Sequence, residues 1–218
     1  MATIVVFSPH NDDHALAMGG TIAMHLKRGD TVETFIGSFG EMSHPHLKPE
    51  VIRKTRVKEA QRADKEYGGT GRVQFLGLRE LKFAEDFKRK GFPRKIAARL
   101  RELQPERIYI PAPDDMHPDH KALGTLVLDV LSRMQLKPDV YAYYVYPRFV
   151  HMKAPRLVVD VSKFYSQKLD GLAIFRSQIK FFTYAFTTNL VYLYHLIQNG
   201  VHGFLRGVRF AETFYKVR

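Results

Sequence analysis

Apolar and polar positions along this chain follow two alternating periods. TIVVFS (3–8) is an unbroken apolar, β-branched run, as expected of a strand covered on both faces. TIAMHLKRG (21–29) carries Ile22 and Leu26 at helical spacing and ends on Gly29, a helix with a glycine stop. TVETFIGS (31–38) alternates as a strand does, EVIRKTRVKEAQRADKEYGG (50–69) is a long amphipathic helix, and VQFLG (73–77) is a short strand. The second half repeats the alternation. PRKIAARLRELQ is helical, ERIYIPA a strand, HKALGTLVLDVLSRMQ helical, and DVYAYYVYP and RLVVDVS strands, before a helical pattern resumes from Lys163 and gives way to a less regular C-terminal part. Strands alternating with helices predict a Rossmann-like α/β fold: a single domain over residues 1–218, with a mostly parallel sheet and helices on both faces.

Composition narrows the chemistry. With no cysteine, any transition metal must be held by histidines and carboxylates. The start MATIVVFSPHNDD lacks a basic segment followed by a long apolar one, so no signal peptide is expected. The apolar stretch 179–205 is broken by Lys180, Asn189, His195, Gln198 and Asn199 and falls short of the roughly 20 continuous apolar residues that a spanning helix needs. A cytoplasmic protein without a transmembrane segment is expected, and the aromatic density of that stretch suits core or a homo-oligomer interface. The net charge of +12 favours acidic partners. Its densest run, FKRKGFPRKIAARLREL (87–103), reads as the solvated face of a helix whose apolar side is Ile96, Ala97, Leu100 and Leu103. No nucleic-acid motif or stacking aromatic accompanies it, so no nucleic-acid partner is expected.

Two loops concentrate titratable groups. PHNDDH follows the first strand and PDDMHPDH follows IYIPA, and in a sheet of order 3-2-1-4 these loops face each other across the switch point. On a tight turn into a helix, His10 and Asp13 lie three apart and can converge on one ion, leaving Asp12 free to act as a base. Two His nitrogens, one carboxylate oxygen and an open fourth position make a hydrolytic zinc site. Taken singly, PHNDD could be an Asx turn capping a helix and HPDH a proline turn with an N-cap. Two such loops after two strands of one sheet favour a site.

The chain resembles the PIG-L/LmbE-like zinc-dependent N-deacetylases. The family motif PHPDDE followed by GG stands here as PHNDDHALAMGG, and HPDH is complete at residues 117–120. Arg56 and Glu59 resemble its Arg-x-x-Glu helix, Gly40-Glu41 its Gly-Glu turn, and the Ser-Gln at 177–178 and AETF at 211–214 its later segments. The resemblance implies Zn2+ held by His10, Asp13 and His120, with Asp12 as general base. It implies that His117 is a protonated donor oriented by Asp119, and that Arg56 contacts substrate. Asp115 is a further substrate-binding candidate. The expected activity is removal of an N-acetyl group from an N-acetylglucosamine-type amino sugar or glycoconjugate. The alternatives are amidase action on a larger glycosyl conjugate and a non-catalytic, basic glycan- or nucleic-acid-binding protein.

Two departures stand out. Asn11 replaces the usual proline and keeps turn chemistry. His14 replaces the usual glutamate, and a supporting or structural role is expected of it. His44 and His46 read as surface residues, and His151, His195 and His202 as structural ones.

Overall fold

The computed structural model describes residues 1–41, 47–89, 91–146, 153–179 and 185–218, with backbone alone at 178–179 and 185–188. His44, His46, His151, Lys90 and the side chain of Gln178 lie outside what is described. Seven strands form one sheet in the order β3-β2-β1-β4-β5-β7-β6. They are β1 (Thr3–Ser8), β2 (Thr31–Ile36), β3 (Val73–Phe75), β4 (Arg107–Pro111), β5 (Asp139–Tyr143), β6 (Arg156–Asp160) and β7 (Ala211–Lys216). Strands β1 to β5 pair in parallel, and β7 runs antiparallel between β5 and β6. The chain is a single α/β domain, and the 3-2-1-4 order puts the strand-order reversal between β1 and β4.

The helices are α1 (Asp13–Lys27), α2 (Pro49–Glu66), α3 (Phe83–Arg89), α4 (Phe92–Leu103), α5 (Pro118–Ser132), α6 (Tyr165–Leu172), α7 (Arg176–Ile179) and α8 (Ala185–Phe204). Alternate residues of β1 feed two cores. Val5 and Phe7 pack with Ile96, Leu100, Leu123 and Val127 on one face, and Ile4 and Val6 pack with Leu16, Ile22, Leu172 and Phe175 on the other. That two-sided burial is why the strand is apolar without interruption.

Three elements depart from the pattern reading. The helix expected over 21–29 begins at Asp13, inside the motif, and kinks at Met18 (φ −146°, ψ 19°). The basic run is split into α3 and α4 by Gly91, whose φ of +66° interrupts the helical path. The C-terminal part is regular, a 20-residue helix followed by an inserted strand.

The kink explains the paired glycines. It exposes the N–H groups of Gly20 and Thr21 at the start of the second half of α1, and the buried Glu212 carboxylate on β7 accepts from them at 3.1 and 2.7 Å. A Cβ on Gly20 would lie 2.8 Å from Cβ of Val161, so a side chain there would push α1 away from the residue that follows β6. Lys168 of α6, also buried, donates to Glu212 at 2.6 Å and to Asn199 at 2.9 Å.

Candidate metal and catalytic centre

The site is assembled where β1 and β4 end. Ser8, the last residue of β1, donates its hydroxyl to the His10 carbonyl at 2.7 Å and accepts the His14 N–H at 3.1 Å, so the turn is tied before α1 begins. Asp13 Oδ2 accepts the His10 backbone N–H at 2.9 Å, bringing that carboxylate back beside the His10 ring. Asp12 occupies the N-cap position but makes no side-chain cap bond, which leaves its carboxylate available. Across the switch point, His117 caps α5 by accepting the Asp119 N–H on Nδ1 at 3.2 Å, with Pro118 in the first turn. One turn of helix then delivers His120 to the same point.

Three donor atoms meet there. His10 Nδ1 lies 3.1 Å from Asp13 Oδ2, His120 Nε2 lies 3.2 Å from Asp13 Oδ2, and the two nitrogens are 3.3 Å apart. A tetrahedral ion with ligand bonds of about 2.1 Å has edges of about 3.4 Å. The triangle therefore matches one face of such a tetrahedron, leaving its fourth vertex for another ligand. A second donor group within 4.8 Å, His10, His117 and Asp119, shares His10. There the Asp119 oxygen is already engaged, accepting the Leu81 N–H at 2.9 Å.

Each ligand-type histidine is backed by a carboxylate. Asp119 Oδ2 lies 3.2 Å from His10 Nε2, and Asp115 Oδ2 lies 3.5 Å from His120 Nδ1. Carboxylates so placed orient imidazoles and raise their basicity as ligands. Asp119 directs its carboxylate to His10 and donates its backbone N–H to the His117 ring. Asp115 is buried behind His120, its other oxygen accepting the His117 N–H at 2.9 Å in a local turn.

The electrostatics separate the two neighbouring aspartates. Burial raises Asp13, but the charges and hydrogen bonds of His120 and His10 outweigh it and hold the carboxyl well below its usual range. Burial and the Asp13 charge push Asp12 up to about 6, against the pull of Arg56 and His10. Burial lowers His10, yet Asp13 and Asp119 bring it to about 10. Burial, then the charges of His120 and His10, push His117 down to about 4. With Nδ1 accepting from Asp119 N–H, the neutral ring carries its proton on Nε2 and remains a donor there.

Arg56, on α2, is buried with its guanidinium against Gly40, where an added Cβ would fall 1.6 Å from Nη1; Gly40 itself has φ +70°. One turn on, Glu59 accepts from the N–H and hydroxyl of Ser177 at 2.9 and 2.5 Å, tying α2 to α7. His14 is structural. Its Nδ1 lies 3.1 Å from Ser8 Oγ and its ring packs edge-on against Phe175, with burial lowering its pKa to about 4. His195 donates to the Val145 carbonyl at 2.8 Å, and His202 pairs with Thr213 at 2.7 Å.

Two tyrosines join the site without any motif to announce them. Tyr192 of α8 donates to Asp12 Oδ2 at 3.3 Å, and Tyr146, just past β5, stacks on His117 with ring centroids 5.8 Å apart and planes 7° apart. Their only trace in the sequence is the general aromatic richness of those segments.

Asn11 is fully buried, and neither its side-chain oxygen nor its nitrogen has a hydrogen-bond partner among the described residues. Asn11→Pro should therefore stabilise the protein by about 1–3 kcal/mol, by removing an unpaired buried amide and stiffening the turn. Urea unfolding measures it. A lower midpoint in the variant would show that the amide is partnered in solution.

Comparison with known proteins identifies the family. Residues 5–131 match the family described as PIG-L: GlcNAc-PI de-N-acetylase. A Bacillus cereus protein named probable N-acetyl-alpha-D-glucosaminyl L-malate deacetylase 2 is 33% identical over 195 residues, spanning 80% of this chain and 83% of that one. N,N'-diacetylchitobiose deacetylase from Pyrococcus horikoshii superposes with a TM-score of 0.81 at 22% identity, over 98% of this chain and 82% of its own. The 4-carboxy-2-hydroxymuconate hydratase of Pseudomonas putida superposes with a TM-score of 0.82 at 19% identity, over 100% of this chain and 97% of its own. At such identities the structural likenesses establish the fold alone, and that fold carries more than one chemistry. The family match over more than half the chain, together with the Bacillus cereus relative, assigns the chain: it belongs to the PIG-L de-N-acetylase family.

Proposed function

We propose that the chain is a zinc-dependent N-deacetylase that removes the acetyl group from an N-acetylglucosaminyl conjugate, working in the cytoplasm. The observation that carries this reading is the donor triangle of His10, Asp13 and His120 with a non-ligand carboxylate, Asp12, beside it. Two imidazole nitrogens and one carboxylate oxygen are a hydrolytic zinc donor set. Zinc bound there would supply a polarised amide carbonyl and a more acidic water.

The remaining work falls to the protein. Asp12, pushed up to about 6, takes the proton of the attacking water as its oxygen bonds to the amide carbon. Tyr192 donates its hydroxyl to the Asp12 carboxylate. The Nε2–H of His117 faces the carbonyl oxygen as charge develops on it, held by the Asp119 N–H on Nδ1 and by Tyr146 against its ring. The proton collected by Asp12 passes to the departing nitrogen as the C–N bond breaks, leaving acetate and a free amine. Arg56 offers its guanidinium to sugar hydroxyls. A cleft of about 270 Å3 lined by Ser38, Gly40, Arg53, Leu78, Arg79 and Glu80 opens at the ends of β2 and β3. Glu80 acts electrostatically on His10, so the cleft adjoins the centre and offers room for the second part of a conjugate.

The test is amine release from N-acetylglucosaminyl malate, N,N'-diacetylchitobiose and free N-acetylglucosamine by zinc-loaded protein, with and without a chelator. Chelator-sensitive release, faster from a conjugate than from the free sugar, is expected. Release from none of them, with water addition to an unsaturated dicarboxylate instead, would replace the deacetylase reading with a hydratase.

A further inference from the structure

Behind the donor triangle, the turn between β3 and α3 adopts a backbone that local packing does not explain. Among the described residues two that are not glycine have a positive φ, Gln104 and Leu81. Gln104 ends α4 as its C-cap, an ordinary place for a left-handed residue. Leu81, at φ +62°, is the third residue of a turn closed by the Lys82 N–H on the Arg79 carbonyl at 3.0 Å, a position that normally calls for glycine. Its side chain is 63% exposed, so burial of the leucine does not hold the backbone there. Asp86 does. Its buried carboxylate accepts the Arg79 backbone N–H at 2.9 Å and clamps the Arg79 guanidinium through Nε at 3.0 Å and Nη2 at 2.6 Å. The Asp86 N–H in turn donates to the Lys82 carbonyl at 2.9 Å, so both ends of the turn are tied to one residue of α3.

The left-handed residue turns the Leu81 N–H inward, onto Asp119 Oδ2 at 2.9 Å, and that same oxygen lies 3.2 Å from His10 Nε2. An ionised carboxylate only accepts, so Asp119 holds the proton on His10 Nε2 and leaves Nδ1, the nitrogen of the donor triangle, with its lone pair. Two residues after Leu81, the Phe83 ring lies against the His10 ring with centroids 6.0 Å apart, which supports the imidazole by a second route. We propose that the 79–86 segment is a positioning element of the metal centre: the Arg79–Asp86 pair fixes a strained turn, the turn presents the Leu81 N–H, and that N–H locks Asp119 and through it the tautomer and direction of His10. This role rests on the reading of His10 as a metal ligand. Arg79, Leu81 and Asp86 are then positioning residues, which act on metal affinity through Asp119 and carry no ligand atom themselves.

Zinc affinity, measured by competition between the apoprotein and a chromophoric chelator, separates backbone from side chain at position 81. Leu81→Gly keeps the N–H and suits a left-handed φ, and is expected to bind zinc as wild type does. Leu81→Val keeps an apolar side chain but disfavours that φ, so it should swing the N–H away and weaken zinc binding about 10-fold, with unchanged circular dichroism because the side chain is exposed. Asp86→Asn, which loosens the clamp, should weaken it in the same direction. In an Asp119→Ala background Leu81→Val should cost nothing further, a coupling that a merely structural loop would not show. Equal zinc affinity in wild type and a folded Leu81→Val, an equal loss in Leu81→Gly and Leu81→Val, or the full loss persisting in the Asp119→Ala background overturns the proposal and leaves the deacetylase reading standing. A wild type that binds no zinc overturns both.

Discussion

Asp12→Asn is expected to lower deacetylation turnover by about 100-fold or more while the protein keeps about one zinc per chain. The two halves of that result have separate causes. The ligand-type atoms are His10 Nδ1, Asp13 Oδ2 and His120 Nε2, mutually 3.1–3.3 Å apart, and Asp12 contributes none of them. Zinc content should therefore survive. Asp12 is the buried carboxylate beside that triangle, free of any cap bond and poised at about 6, and an amide in its place keeps the shape but cannot accept a proton. Tyr192 can still donate to the Asn oxygen, so the loss should appear mainly in kcat rather than KM. Full activity in this variant would remove Asp12 from the mechanism.

The second large effect is structural and lies behind the site. Glu212 is fully buried and accepts four hydrogen bonds, from Gly20 N–H, Thr21 N–H, the Thr21 hydroxyl and Lys168 Nζ. Glu212→Gln leaves the Lys168 ammonium buried without its counter-charge and turns an amide N–H toward donors. Breaking one side of a buried pair costs about 3–5 kcal/mol, which in a chain of this size lowers Tm by roughly 10 °C or more. Replacing both partners, with Lys168→Met added, should recover much of the loss, because no unpaired charge is then left behind. An unchanged Tm in Glu212→Gln would mean that the pair is not buried in solution. Because the carboxylate caps the second half of α1, whose first half carries Asp13, the loss should also loosen that proposed metal ligand.

The legible parts of the molecule are those where one residue type had one physical reason to be present. A run such as TIVVFS has no polar face, so β1 had to be covered on both sides, and Val5 and Phe7 against Ile4 and Val6 show that division. The PHNDDH and HPDH loops carry groups too costly to crowd together without a task, and the 3-2-1-4 order brings them together. Side-chain direction was not legible. Whether Asp119 turned to His117 or His10 depends on the Leu81 N–H, from a residue 38 positions away held at a left-handed φ of +62°. The place of Asp115 was hidden for the same reason, since only the fold shows His120 in front of it. Tyr146 and Tyr192 were hidden among apolar neighbours, where an aromatic residue normally means core. Helix α8 was obscured because its buried side is the polar one, so the usual link between apolar periodicity and burial is reversed there.

The central claim is the division of labour between two adjacent carboxylates, and metal content tests it most directly. Zinc measured by mass spectrometry after dialysis should be about one per chain in wild type and in Asp12→Asn, and close to none in Asp13→Ala, which removes one corner of the ligand triangle. Zinc retained by Asp13→Ala and lost from Asp12→Asn would contradict the account, because it would exchange the ligand and the base.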